Sequence, residues 1–164
     1  MKTLLLMRHA KSSWNQPGLA DHDRPLNKRG QQAAPEMGKL LRKEGLIPDM
    51  ILCSTARRSR ETAEALAKAC GYDGKIESQR DLYYSDAACY IDILRHLPDQ
   101  ANCVLIVGHN PETEQLLEVL TGHTEHMTTA TIAHMDLPIS HWHELTEALD
   151  VGLLHLWRPR ETES

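Results

Sequence analysis

Short apolar runs alternate along this chain with segments whose apolar residues recur every three or four positions. Residues 2–7, Lys-Thr-Leu-Leu-Leu-Met, form a brief apolar run that meets charge at once in Arg8, and they read as a buried strand. A loop through Ser12, Asn15, Pro17 and Gly18 follows. From about 28 to 44, Ala33, Met37, Leu40 and Leu41 share one helical face, with Gly45 and Pro48 as stop signals. Pro35 fits such a helix only in its first turns. Residues 49–53 predict a second strand, residues 57–70 a second helix closed by Gly71, and residues 75–78 an edge strand. Residues 86–97 carry Tyr90, Ile93, Leu94 and Leu97 at helical core spacing. The strongest strand signal is 103–107, Cys-Val-Leu-Ile-Val, whose unbroken apolar run suits a central strand covered on both faces. Asn110-Pro111-Glu112 then reads as cap, first position and acidic first turn of a helix that stops at Gly122. Residues 131–137 and 151–157 predict two last strands, antiparallel at the sheet edge, around a loop with a short helix at 138–149. The alternation predicts an α/β domain: a three-layer fold with a mostly parallel central sheet flanked by helices.

Composition narrows this picture. With 164 residues, the expectation is a single domain over 1–160 and a short tail at 161–164. A net charge of -5 argues against a nucleic-acid partner, which calls for a basic face, and the absence of Phe argues against base-stacking platforms. No apolar stretch approaches the roughly 20 residues of a membrane helix, and the N-terminal run is too short for a signal peptide, so no membrane partner and a cytoplasmic location are expected. Cys53, Cys70, Cys89 and Cys103 form no C-x-x-C pair and read as reduced thiols. The ten histidines invite a metal reading at His141-Trp142-His143 and at His123/His126, but no acidic or cysteine partners stand at a ligand spacing, so neither a metal nor another cofactor is expected.

The chemistry gathers where strands end. His9 follows the first strand and His109 follows the central one, and open α/β sheets bind ligands beyond the carboxyl ends of their strands. His109 also precedes a helix start, where free N–H groups favour an anion. Arg8 shares the turn with His9. Ser54-Thr55-Ala56-Arg57-Arg58-Ser59-Arg60 follows another strand and opens a helix; spacing alone does not choose among its arginines. Arg24, on a loop able to fold over the pocket, is a further candidate. Arginines offer planar forks matched to phosphate oxygens. A neutral imidazole attacks phosphorus through one ring nitrogen when the other is held protonated. The pattern thus predicts a basic, phosphate-handling pocket on an acidic protein.

These motifs resemble the histidine phosphatase superfamily, with its phosphoglycerate mutase-like fold. The resemblance rests on Met7-Arg8-His9-Ala10-Lys11-Ser12, on Asp23-Arg24-Pro25-Leu26 with Gly30, on Ser54-Thr55-Ala56-Arg57-Arg58 with Thr62, on Leu82-Tyr83, and on Val107-Gly108-His109-Asn110-Pro111. The branch it is most similar to is the SixA-type phosphohistidine phosphatases. The resemblance implies that His9 becomes phosphorylated, that Arg8, Arg58 and His109 bind the phosphoryl group, and that Arg24 is a pocket residue. It selects Arg58, four residues after the serine and four before Thr62, over Arg57 and Arg60. Two positions depart from the pattern. Ala10 replaces a glycine, which implies ordinary backbone geometry there. The segment Arg80-Asp81-Leu82-Tyr83-Tyr84-Ser85-Asp86 lacks the glutamate that protonates the leaving oxygen in larger relatives, leaving Asp81, Asp86 or Tyr83 as substitutes. A P–N bond needs such an acid less than an ester does. The expected substrate is therefore phosphohistidine on a protein such as a phosphorelay (histidine-phosphotransfer) domain. The alternatives are a small phosphate ester or a phosphate-binding module without activity.

Overall fold

A computed structural model describes residues 1–160; the expected tail at 161–164 lies outside the described residues. The strands are β1 (Lys2–Arg8), β2 (Met50–Ser54), β3 (Ile76–Gln79), β4 (Cys103–Gly108), β5 (Ile132–Leu137) and β6 (Gly152–Trp157). They form one sheet in the order β3-β2-β4-β1-β5-β6. The first four of these positions are mutually parallel; β5 pairs antiparallel with β1, and β6 pairs antiparallel with β5. This is the expected three-layer α/β arrangement around a mostly parallel sheet, with the longest apolar runs at its centre.

Alternation along the central strands divides the core in two. Leu4 and Leu6 of β1, with Val104 and Ile106 of β4, pack on one face. Helices α3 (Ala87–Arg95) and α4 (Glu112–Thr121) cover that face through Tyr90, Leu94, Leu116 and Leu120. Leu5, Met7, Leu105 and Val107 point the other way, against α1 (Lys28–Lys43) and α2 (Arg57–Cys70). All eight strand residues are fully buried, as expected for a sheet sandwiched between helix layers.

Two local expectations are corrected. Helix α1, capped by Asn27 Oδ1 accepting from the Gly30 N–H at 2.9 Å, continues through Pro35 at its eighth position rather than confining it to the first turns. Packing of Ala34, Met37 and Leu41 against Ala63 and Leu66 of α2 holds the helix across a residue that costs about 3 kcal/mol in an isolated one. Helix α4 begins one residue later than the cap signal suggested, with Pro111 in the cap position. The Asn110 amide is engaged elsewhere: Nδ2 donates to Glu114 Oε2 of α4 and to the distant Met127 carbonyl, both at 2.9 Å, and Oδ1 accepts from the Thr113 hydroxyl. Among the described residues no helix is long and apolar enough to cross a membrane. All four cysteines are free.

Candidate active site

Three parallel neighbours, β2, β4 and β1, end together. Arg8 stands opposite Gly108, and Cys53 opposite Val107, so the next residues of each strand, His9, His109 and Ser54, emerge at one sheet edge. The His9 N–H donates to the Gly108 carbonyl at 2.9 Å, and the two imidazole centroids lie 5.0 Å apart. Around them is a cleft of about 280 Å³ lined by Arg8, His9, Arg24, Arg58, His109 and Tyr84 among others.

The tautomer of His9 follows from its partner. Nδ1 lies 2.7 Å from the Ala10 carbonyl, which can only accept, so Nδ1 carries the proton and Nε2 the lone pair. Burial, then the charges of Arg58, Arg8 and Arg24, lower the imidazole to about 4, keeping the ring neutral. Ala10 is completely buried. Its N–H donates to Thr62 Oγ1 at 3.0 Å, and that hydroxyl donates to the Arg58 carbonyl at 2.7 Å. Thr62 thus ties the turn carrying His9 to the helix carrying Arg58. No positive φ occurs at residue 10, so Ala10 keeps ordinary backbone geometry.

His109 is gripped from behind by two serines. Its Nε2 lies 2.6 Å from Ser54 Oγ and 3.2 Å from Ser59 Oγ, both fully buried. Its Nδ1 is 3.5 Å from Arg58 Nη2, a donor, so the proton of the neutral ring sits on Nε2. Burial, reinforced by His9 and Arg58, lowers this imidazole to about 3. The His109 N–H donates to Tyr90 Oη at 3.2 Å, and the Tyr90 hydroxyl donates to the Leu82 carbonyl at 3.1 Å. Tyr90, expected only as core, is core and also anchors this turn. A Cβ at Gly108 would lie 2.1 Å from that hydroxyl oxygen, so glycine there is a packing requirement.

The arginines separate clearly. Arg58 is 5% exposed, whereas the Arg57 side chain is half-exposed and pairs with Glu61 at 3.2 Å. Arg60 turns back to the Thr55 carbonyl at 3.1 Å. Arg8 Nη1 donates to the Met127 carbonyl at 3.0 Å; the Nε atoms of Arg8 and Arg58 are buried without a hydrogen-bond partner. Arg24 is buried in the cleft wall, 3.4 Å beneath the centre of the exposed Trp14 ring. Sequence reasoning missed the residue that organises two of these arginines, Asp21. Its Oδ2 accepts from Arg58 Nη2 at 2.9 Å, Tyr83 Oη at 2.8 Å and Tyr84 Oη at 3.0 Å, while Oδ1 accepts from Arg24 Nε at 3.1 Å. Partial burial would raise this carboxyl, but the bonds from Tyr83 and Arg58 outweigh it and hold the group well below the usual carboxylate range. Ser54 and Ser59 were legible only as motif letters; their contact with His109 crosses 50 or more residues of sequence.

None of the three suggested acids is placed for proton donation to a leaving group. Asp86 caps α3, accepting from the Cys89 N–H at 2.8 Å, and that bond lowers its carboxyl. Tyr83 donates its hydroxyl hydrogen bond to Asp21, and desolvation and that bond raise the phenol. Asp81 is exposed in the short 3-10 turn Arg80–Leu82. Among the described residues, no carboxylate lines the cleft. Elsewhere, His126 pairs with Glu114 and His141 with Asp99, each at 2.9 Å.

The family model described as histidine phosphatase superfamily (branch 1) matches residues 4–86. The chain belongs to that superfamily. The match takes in the strand end at Arg8-His9 and the Ser54–Arg58 junction, while His109 comes from beyond it. A chloroplastic protein of Arabidopsis thaliana is 32% identical over 155 residues, 87% of this chain and 70% of its own. A protein of Mycobacterium tuberculosis is 40% identical over 116 residues, 71% of this chain and 70% of its own. Among solved structures, one assigned as phosphohistidine phosphatase SixA from Nakamurella multipartitia superposes with TM-score 0.84 at 27% identity, covering 96% of each chain. Another so assigned, from Agrobacterium tumefaciens, gives 0.82 at 28% identity over 96% of this chain and 98% of that one.

Proposed function

We propose that this chain is a phosphatase working through a phosphorylated His9, and that its substrate is phosphohistidine on a protein such as a phosphorelay domain. The observation that carries the reading is the His9 Nδ1–H to Ala10 carbonyl bond, which leaves Nε2 with its lone pair in a cleft walled by Arg8, Arg24, Arg58 and His109. In the first step Nε2 attacks phosphorus, and the bond between phosphorus and the substrate nitrogen breaks. The departing imidazole keeps the electron pair and stays neutral because its other nitrogen bears a proton. Arg8 and Arg58 hold the charge on the equatorial oxygens, and their partnerless Nε–H groups are donors that a bound anion would satisfy. His109 binds the same group through Nδ1 once protonated, with Ser54 fixing the ring. Water then attacks phosphorus, the P–Nε2 bond breaks and phosphate leaves. A cleft lined, among the described residues, by cations and no carboxylate is a poor cation site, so the arginines take the charge-neutralising role a metal would have.

The lack of a carboxylate among the described residues of the cleft also favours P–N over P–O cleavage, since an alkoxide needs a proton as it leaves. The test compares turnover of a phosphohistidine-bearing phosphotransfer domain with that of sugar phosphates, alongside acid-quench detection of label on His9. Exclusive cleavage of the esters refutes the substrate, and unchanged hydrolysis of p-nitrophenyl phosphate by His9→Ala refutes the nucleophile. A protein inert toward every substrate would instead be a phosphate-binding module.

A further inference from the structure

We propose that a second, basic cleft beside the phosphoryl pocket docks an acidic segment of the phosphoprotein; this rests on the protein-substrate reading above. The cleft measures about 250 Å³ and shares Lys11 and Thr129 with the phosphoryl pocket, so the two adjoin along one wall. Lys11, Arg29, Arg158 and Arg160 surround it, and Glu36 is the one carboxylate in its lining among the described residues. On a chain of net charge -5 this clustering runs against the overall balance, and such a local field attracts and orients an anionic partner.

Three stretches of chain build it, each fixed by backbone bonds. The Asn27 N–H donates to the Lys11 carbonyl at 3.0 Å, and a Cβ at Gly30 would lie 2.1 Å from that same oxygen. Glycine at 30 therefore lets the first turn of α1, with Arg29, close onto the strand-end turn carrying Lys11. The Arg160 N–H donates to Glu36 Oε1 at 3.1 Å, which pins the segment after β6 onto α1 and engages the acid of the cleft in a backbone bond. Arg158 Nη2 donates to the His126 carbonyl at 2.8 Å and lies 3.9 Å from Glu125.

The two clefts differ in how they hold charge. The cations of the phosphoryl pocket include the buried Arg24 and Arg58, suited to one compact dianion. Those of the second cleft are exposed side chains on separate elements, suited to several carboxylates held loosely across a surface. A phosphohistidine seated at His9 would thus present acidic neighbours of its own chain to Lys11 and the two C-terminal arginines.

The experiment uses two synthetic phosphohistidine peptides, alike except that the residue is flanked by glutamates in one and glutamines in the other. At low salt the full chain should cleave the glutamate peptide with kcat/KM about tenfold higher, and the preference should shrink at high ionic strength. R158E/R160E should bring the ratio to about one while p-nitrophenyl phosphate turnover stays within twofold. R160E alone, whose bond to Glu36 is made by the backbone, should give an intermediate ratio and serves if the double variant folds poorly. Equal cleavage of both peptides by the wild type, or an unaltered preference in both variants, overturns the docking site while leaving the phosphohistidine reading intact. If neither peptide is cleaved but p-nitrophenyl phosphate is, the substrate reading fails and the docking site with it.

Discussion

Holding His9 neutral should cost the protein stability in mild acid, and the size of the cost follows from the site. In the unfolded chain the imidazole titrates at 6.5; in the folded cleft burial and the three arginines bring it to about 4. Between these values the folded state binds fewer protons than the unfolded one. Stability is therefore level above pH 6.5, falls as the pH drops below it, and finishes falling near pH 4. At pH 5, 1.5 units below the unfolded value, the loss from this ring is about 2 kcal/mol at ~1.36 kcal/mol per unit. His109, lowered to about 3, contributes a similar loss over the same range, and because the two rings oppose each other's protonation the losses are not independent. Urea unfolding at pH 7 and pH 5 measures this directly. The wild type should lose about 2 kcal/mol more than His9→Gln, which with a slope of about 1–3 kcal/mol/M separates the midpoint shifts by roughly 1 M. Added phosphate at pH 5 should recover part of the loss, since an anion between the imidazoles raises both. Equal losses in wild type and variant would show that His9 is already protonated or solvated in the fold, and the neutral-nucleophile argument would collapse.

Arg58→Ala should lower kcat for a chromogenic phosphate by about 10²–10³, whereas Arg57→Ala, which removes only a half-exposed pair with Glu61, should stay within twofold; the reverse order would mean the wrong arginine faces His9. Ser54→Ala leaves the buried His109 Nε2–H with Ser59 alone, and should cost about 1–3 kcal/mol of stability together with a fall in kcat. Gly108→Ala drives a methyl into the Tyr90 hydroxyl and should destabilise by about 1–3 kcal/mol. An unchanged melting temperature for that variant would show that Tyr90 moves aside freely.

Much of the architecture was legible because local pattern and global fold agree. The unbroken run at 103–107 became the central β4, and the strands and helices around it fell within a residue or two of their expected bounds. Pro35 and Asn110 went differently because packing partners decided them: helix packing carried α1 through the proline, and the Thr113 hydroxyl, Glu114 and the Met127 carbonyl took the asparagine side chain that would have capped α4. The same division runs through the site. Strand ends followed by Arg8-His9 and Gly108-His109 placed two imidazoles at one sheet edge, because parallel strands of one sheet deliver their carboxyl ends together. Which nitrogen of each ring is free depends on a neighbouring carbonyl for His9 and on the Arg58 guanidinium for His109. Which arginine turns inward depends on where α2 presents Arg58 to Asp21, on a loop 37 residues away. Periodicity reports the face a residue occupies in its own element. Hydrogen-bond partners, burial and charge belong to pairs of elements, and they exist only once the chain has packed.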